Sequence, residues 1–327
     1  MTKKSILSST FYARGSSAAT AAVAVSILLM LAPERSLACA CGCGVFEVGT
    51  SSMLPSSDGG MLFFTTDSQD QNHNWSGTSE APAANNADQE IRTIFVTTGL
   101  QYLFNRSWGV QIEVPYVSRY FKTTGGVSGD DLVALRWSQL GDIRIQGIYT
   151  GFSPDLSTGL TFGLKLPSGS YSHSDVYGDV DRDTEIGTGS IDVLLGGFHR
   201  GGLTLDPTWS WYLQGALDQP VLFRDGYRPG LEVDAAVGIH YNGWYIGNTL
   251  VTPIAQAIGS YRARDSGPNS ADPVASGYQR VLLSPGIEVN LHPLRLYADV
   301  EFPVYQHMTG NQLVAPVLLK FSVSYHF

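Results

Sequence analysis

The sequence predicts an all-β fold, a transmembrane antiparallel β-barrel of about twelve strands with short periplasmic turns and long extracellular loops. Three observations predict it. Past residue 60, apolar and polar residues alternate with period two, the pattern of strands whose two faces meet different surroundings. Short and long connections between these segments take turns along the chain. The chain opens on a secretory leader and ends on an aromatic residue, Phe327.

Composition sets the outer bounds. Of 327 residues, 43% are of the AVILMFWYC type and 15% are charged, enough apolar surface to offset the ordering entropy that keeps other chains disordered. Gly supplies 36 residues and the helix formers Lys and Glu are sparse, which argues against a helical bundle. A net charge of −9 argues against a nucleic-acid partner, which a basic patch would serve. No later stretch reaches 18 uninterrupted apolar residues, so helices are not expected to span a membrane.

Residues 1–38 read as a signal peptide. Lys3, Lys4 and Arg14 precede an apolar run from Ala21 to Leu31, and Ser36-Leu37-Ala38 supplies small residues for cleavage. Cleavage after Ala38 leaves 289 residues and removes four basic groups (Lys3, Lys4, Arg14, Arg35) and one acidic group (Glu34), which takes the charge to −12. A cut two residues later also fits.

Residues 39–59 form a Cys-rich periplasmic segment or lumen plug, and 60–327 the barrel. Cys39, Cys41 and Cys43 are all the cysteines of the chain. An odd number leaves a thiol unpaired within the chain, and one-residue spacing strains a disulfide. Three soft thiolates suit Cu(I) or zinc; acylation of Cys39, an intermolecular disulfide and a plain flexible periplasmic lead are the competing readings. Nothing else calls for a cofactor.

The strand segments fall near 60–68, 90–104, 108–122, 141–152, 157–166, 190–200, 209–218, 230–241, 244–262, 278–291, 294–306 and 313–327. Phe327, Tyr325, Val323, Phe321 and Leu319 alternate with His326, Ser324, Ser322 and Lys320, and Trp108, Val110, Ile112, Val114 and Tyr116 with Gln111 and Glu113. Tight turns are expected at 105–107, 153–155, 241–243 and 292–293, and long polar loops near 69–89, 123–140, 167–189, 219–229 and 263–277. Such a chain suits the bacterial outer membrane, where a sheet must close to pair every backbone group. Tyr102, Phe104, Trp108, Trp209, Trp211, Tyr241, Trp244, Tyr325 and Phe327 cluster by the turns as an interfacial girdle would. Outer-membrane lipid is the first partner, and the strand ending in Phe327 suits recognition by the barrel assembly machinery. Pro115, Pro253, Pro285, Pro303 and Pro316 read as bulges, since a closed barrel has no edge for a missing N–H. The competing fold is a secreted soluble β-sandwich, which alternates equally but turns its apolar face inward.

If the apolar face meets lipid, the other lines a lumen. Its charged candidates are Glu113, Asp142, Arg144, Lys165, Asp192, Glu232, Asp234, Arg280, Glu288, Arg295, Asp299, Glu301 and Lys320. These must pair or meet water, as a network filling a narrow barrel or as the wall of a passage for small solutes.

The segments 108–116, 140–143, 162–169 and 186–192 resemble those of the outer-membrane channel family associated with the meta-pathway of phenol degradation. The resemblance covers about 95–200 well and the C-terminal half in general pattern. It implies uptake of small aromatic or hydrophobic compounds. The Cys-rich start departs from the family pattern.

Two further motifs carry alternatives. Asp179 to Glu185 imitates a calcium loop, but Thr184 stands where glycine is needed and Arg182 adds positive charge, so a solvated acidic outer loop is expected. Seven histidines, with no nucleophile motif of the G-x-S-x-G type, leave a Ser/His hydrolase behind a non-enzymatic channel. A barrel serving as a structural, metal or redox partner through its cysteines is the remaining alternative.

Overall fold

The computed structural model describes residues 54, 55, 59–125, 131–174, 176, 178–206, 208–270 and 274–327. Twelve long strands form one antiparallel barrel: β1 (Gly59–Gln71), β2 (Asp88–Leu103), β3 (Trp108–Gly125), β4 in two pieces (Asp131–Leu140 and Ile143–Tyr149), β5 (Thr158–Leu166), β6 (Ile191–Gly202), β7 (Trp209–Leu222), β8 (Glu232–Tyr241), β9 (Thr249–Arg262), β10 (Tyr278–Leu291), β11 (Leu294–Val314) and β12 (Leu318–His326). Each pairs with its sequence neighbour, and β12 returns to β1 with Met61 opposite His326. Closure leaves no free edge on the barrel wall.

Which face points where is settled by neighbours in one strand. Phe63 is 1% exposed and Phe64 48%. The same division runs round the barrel: Ile94, Leu100, Ile145, Phe162, Leu195, Val237, Leu283 and Phe321 are exposed, whereas Thr93, Gln101, Lys165, Asp192, Asp234, Ser284 and Lys320 are buried. Polar groups inside and large apolar groups outside invert the arrangement of a soluble protein and suit a bilayer. The soluble sandwich is therefore excluded. Tyr102, Phe104, Trp108, Trp209, Trp244, Tyr325 and Phe327 are exposed at the turn end, the same end as the first residue of β1 and the last of β12.

Three expected boundaries need correction. The stretch 131–140, expected in a long loop, is the upper piece of β4 and pairs with β3 from Tyr116↔Leu140 to Gly125↔Asp131. Its inward residues Val133 and Trp137 are buried and its outward Arg136 and Ser138 are exposed along with Leu132 and Leu140, so apolar residues lie on both faces and the outward one is mixed, unlike the membrane belt. The turn expected at 241–243 is longer: Trp244–Ile246 folds back on β9, and reversal comes at Gly247, whose φ of 62° glycine adopts without strain. The β11 strand runs on to Val314, so the chain reverses at 315–317 rather than at 307–312.

The prolines sit where the ladder is interrupted. Pro115 faces the break in β4, where Gly141 N donates to Pro115 O at 2.8 Å. Pro303 adjoins the register shift between β10 and β11, Pro285 the missing pairs of that ladder, and Pro253 the gap between β8 and Trp244–Ile246. Pro316 lies in the turn after β11. Each absent N–H thus falls at a bulge or gap.

Candidate functional site

All thirteen charged candidates lie on the inward face, buried or half-buried. Register gathers several into one row. Glu113 is opposite Arg144, Arg144 opposite Lys165 and Lys165 opposite Asp192, on β3 to β6. Lys165 ion-pairs with Asp192 and, at 2.8 Å, with Asp218, which also takes Arg144 at 3.6 Å. A second group forms at the seam, where Lys320 reaches Asp67 at 3.6 Å and Glu301 at 3.7 Å. Across the barrel Asp234, Ser260 and Arg280 share a row, and Tyr278 Oη donates to Glu232 at 3.0 Å. Arg295 pairs with Glu288 at 3.4 Å nearer the turn end.

Asp142 has a different position from its fellows. It sits in the break of β4 and accepts from Gly169 N (2.9 Å), Thr188 N (2.8 Å) and Thr188 Oγ1 (2.7 Å). It therefore holds the ends of the loop between β5 and β6. That loop turns inward: Val180, Asp183, Thr184 and Glu185 are buried, which corrects the expectation of a solvated outer loop. Arg119 Nη1 donates to Thr184 O and, at 3.1 Å, to Glu185 O. The Arg182 guanidinium lies 4.2 Å from the centre of the Tyr171 ring and 5.1 Å from that of Tyr227. Burial pushes the Glu185 carboxyl up to about 7, against the opposing pull of the His173 amide, Arg119 and Arg182. Among the described residues no cluster of His, Cys, Asp and Glu could hold a metal ion.

One cavity, about 260 Å³, lies against the inward loop and is lined by Glu113, Arg144, Lys165 and Asp192 together with Phe63, Phe95 and Phe198. Another, about 330 Å³, lies at the turn end among Arg200, Tyr212, His240, Glu288 and Arg295. Between them stands a buried polar knot: Gln256 Nε2 donates to Ser284 Oγ (2.9 Å), Tyr297 Oη (3.0 Å) and Asp299 Oδ2 (2.9 Å), and Tyr212 Oη donates to Gln256 Oε1. Leu54 packs in the lumen with Phe198 and Tyr212, and Arg200 Nη2 donates to Pro55 O at 2.7 Å.

Several inward groups were missing from the sequence candidates. Asp67 and Asp218 have the parity of Thr65 and Ala216, and Arg119, Arg200 and Arg262 that of their inward neighbours, so strict counting by two would have found them. Cys39, Cys41 and Cys43, and the leader 1–38, lie outside the described residues. Of the histidines, His199 meets Thr158 Oγ1 at 2.7 Å, and His326 meets Ser324 Oγ at 3.4 Å. Neither is joined to a carboxylate among the described residues.

No protein-family model and no curated protein matches the chain. Solved structures do. The COG4313 outer membrane channel from Pseudomonas putida F1 superposes with a TM-score of 0.62 at 10% identity, covering 86% of this chain and all of that one. The β domain of the Bordetella autotransporter BrkA gives 0.51 at 14%, covering 83% of this chain and all of that one. At such identities the likeness is one of fold. The fold is the outer-membrane β-barrel. With an apolar belt on a closed twelve-strand wall, the outer membrane is where the barrel resides.

Proposed function

We propose that the barrel is a narrow channel for small solutes, small aromatic or hydrophobic compounds among them. The observation that carries this reading is the mixed lining of the lumen. Ion-paired Lys165, Asp192 and Asp218 and the rings of Phe63, Phe95 and Phe198 border one cavity of about 260 Å³. A cavity of that size lies just below the range of about 300–1,000 Å³ typical of pockets that enclose organic ligands, and its mixed lining suits a compact solute with one apolar face and one polar group. The sequence segments that resemble the phenol-degradation channels favour the same solute class, and one barrel of the same fold is an outer membrane channel.

In this reading the charged candidates line the path, Asp142 fixes the inward loop that narrows its mouth, and the segment before β1 narrows it from within through Leu54 and Pro55. The terminal strand ending in Phe327 is the element offered to the barrel assembly machinery. The test is solute flux: liposomes holding the purified barrel should swell faster with small phenols than with sugars of similar mass, and planar bilayers should show discrete conductance steps. Absence of both conductance and flux for every solute tried would overturn it.

A further inference from the structure

The outer wall carries a basic patch that the permeation path does not use. Among the described residues, every Lys or Arg on the twelve strands points into the lumen except three, and those three stand together. Arg92 on β2, Tyr120 on β3 and Arg136 on β4 occupy one cross-strand row. Lys122 follows two residues beyond Tyr120 on the same face. Both guanidiniums lie over the Tyr120 ring, each 5.4 Å from its centre. Arg92 is held by Glu90 and, at 3.3 Å, by Asp70. Arg136 is exposed, and neither it nor Lys122 enters an ion pair among the described residues.

The height of the patch identifies its surroundings. Twelve residues of β3 lead from Trp108 in the aromatic girdle up to Tyr120. At about 3.3 Å per residue and a tilt near 40° this is a rise of roughly 30 Å, a little more than an apolar band of about 25 Å. Just below the patch, Ser138 Oγ donates to Ser118 Oγ at 2.9 Å in the row of the exposed Ile94, and below that come the exposed Val96, Tyr116 and Leu140. The basic row thus stands where the acyl chains of the outer leaflet give way to headgroups.

We propose that Lys122 and Arg136, oriented by Tyr120, bind the phosphorylated headgroup of an outer-leaflet lipid whose acyl chains lie on the belt beneath. A wall from which cations are otherwise turned inward presents two here that enter no ion pair among the described residues, Arg136 exposed and Lys122 half-buried opposite Glu90 in the ladder, at the level of the headgroups. Arg and phosphate match in charge and geometry, and basic residues at a headgroup surface each add to the attraction for anionic lipid.

The experiment uses the full mature chain in uncharged detergent, titrated with diphosphorylated lipid A and with its dephosphorylated form, with bound lipid counted by native mass spectrometry. The wild type should retain lipid A. The Lys122→Gln/Arg136→Gln variant should bind it roughly tenfold or more weakly, while Arg224→Gln/Arg228→Gln, in an outer loop, should bind as wild type does. The dephosphorylated lipid should not distinguish the variants. Equal binding by all variants, equal loss in the loop control, or equal discrimination with the dephosphorylated lipid would overturn the proposal. Should the double variant fail to fold, Arg136→Gln alone, at an exposed position, carries the same test, and Lys122→Arg should restore wild-type binding.

Discussion

Asp142 Oδ2 accepts from both the amide and the hydroxyl of Thr188, at 2.8 and 2.7 Å, so one carboxylate in a broken strand ties down the far end of a loop that folds into the lumen. Asp142→Ala removes these acceptors and the one used by Gly169. With each hydrogen bond to a charged group contributing about 1.5–3 kcal/mol, the loop should come loose. Amide exchange at Gly169 and Thr188 should accelerate by at least tenfold, and conductance should rise. Unchanged exchange at both amides would show the loop to be held elsewhere.

Lys165 neutralises two carboxylates at once. Lys165→Met leaves Asp192 and Asp218 with only Arg144 nearby, and breaking a buried pair in this way typically costs about 3–5 kcal/mol. The loss should appear in urea unfolding of the barrel and shrink at acid pH as the carboxylates take up protons. Adding Asp192→Asn should recover part of it, which a double-mutant cycle would measure.

The inward loop should respond to pH. Glu185, outside the strands, has its carboxyl raised by burial to about 7. A raised acid favours the docked loop fully below the ordinary carboxylate range, and that contribution is lost as pH climbs through about 7. Conductance should therefore increase between pH 5 and pH 8. In Glu185→Gln the increase should vanish, and a profile identical to that of the wild type would sink the assignment.

The belt can be tested at one residue. Phe64 lies in the middle of the apolar band, opposite Thr98 and Val323. Phe64→Arg should destabilise the barrel folded in vesicles by about 2–4 kcal/mol, whereas the same change at Ser68, nearer the headgroups, should cost about 1 kcal/mol or less. Equal costs at the two positions would place the bilayer elsewhere on the wall.

Much of the fold was legible because the belt imposes its own period. Along Trp108 to Tyr116 each outward residue is apolar and each inward one polar or small, so the strand announces itself. The upper piece of β4 escaped because it rises above the belt, where Val133, Leu135 and Trp137 face inward while Arg136 and Ser138 stand among the outward Leu132, Ala134 and Leu140. Its alternation is intact but its outward face is mixed rather than uniformly apolar, which a search for outward apolar residues reads as loop. The thirteen charged candidates followed from parity. Their grouping did not, since it depends on registers set by the bulges at Pro115 and Pro303. Nor could parity foresee that Ile254, Ile258 and Leu282 would be turned into the lumen, because an inward apolar residue breaks the rule that located the wall.

The seam between Met61 and His326 imposes an order of events on biogenesis. The first strand finds its partner only after the ribosome has made the last one, so nothing resembling the finished cylinder can exist on the growing polypeptide. Throughout secretion the two rows of backbone groups that will meet can bond only to water, and they find each other when the ends are joined.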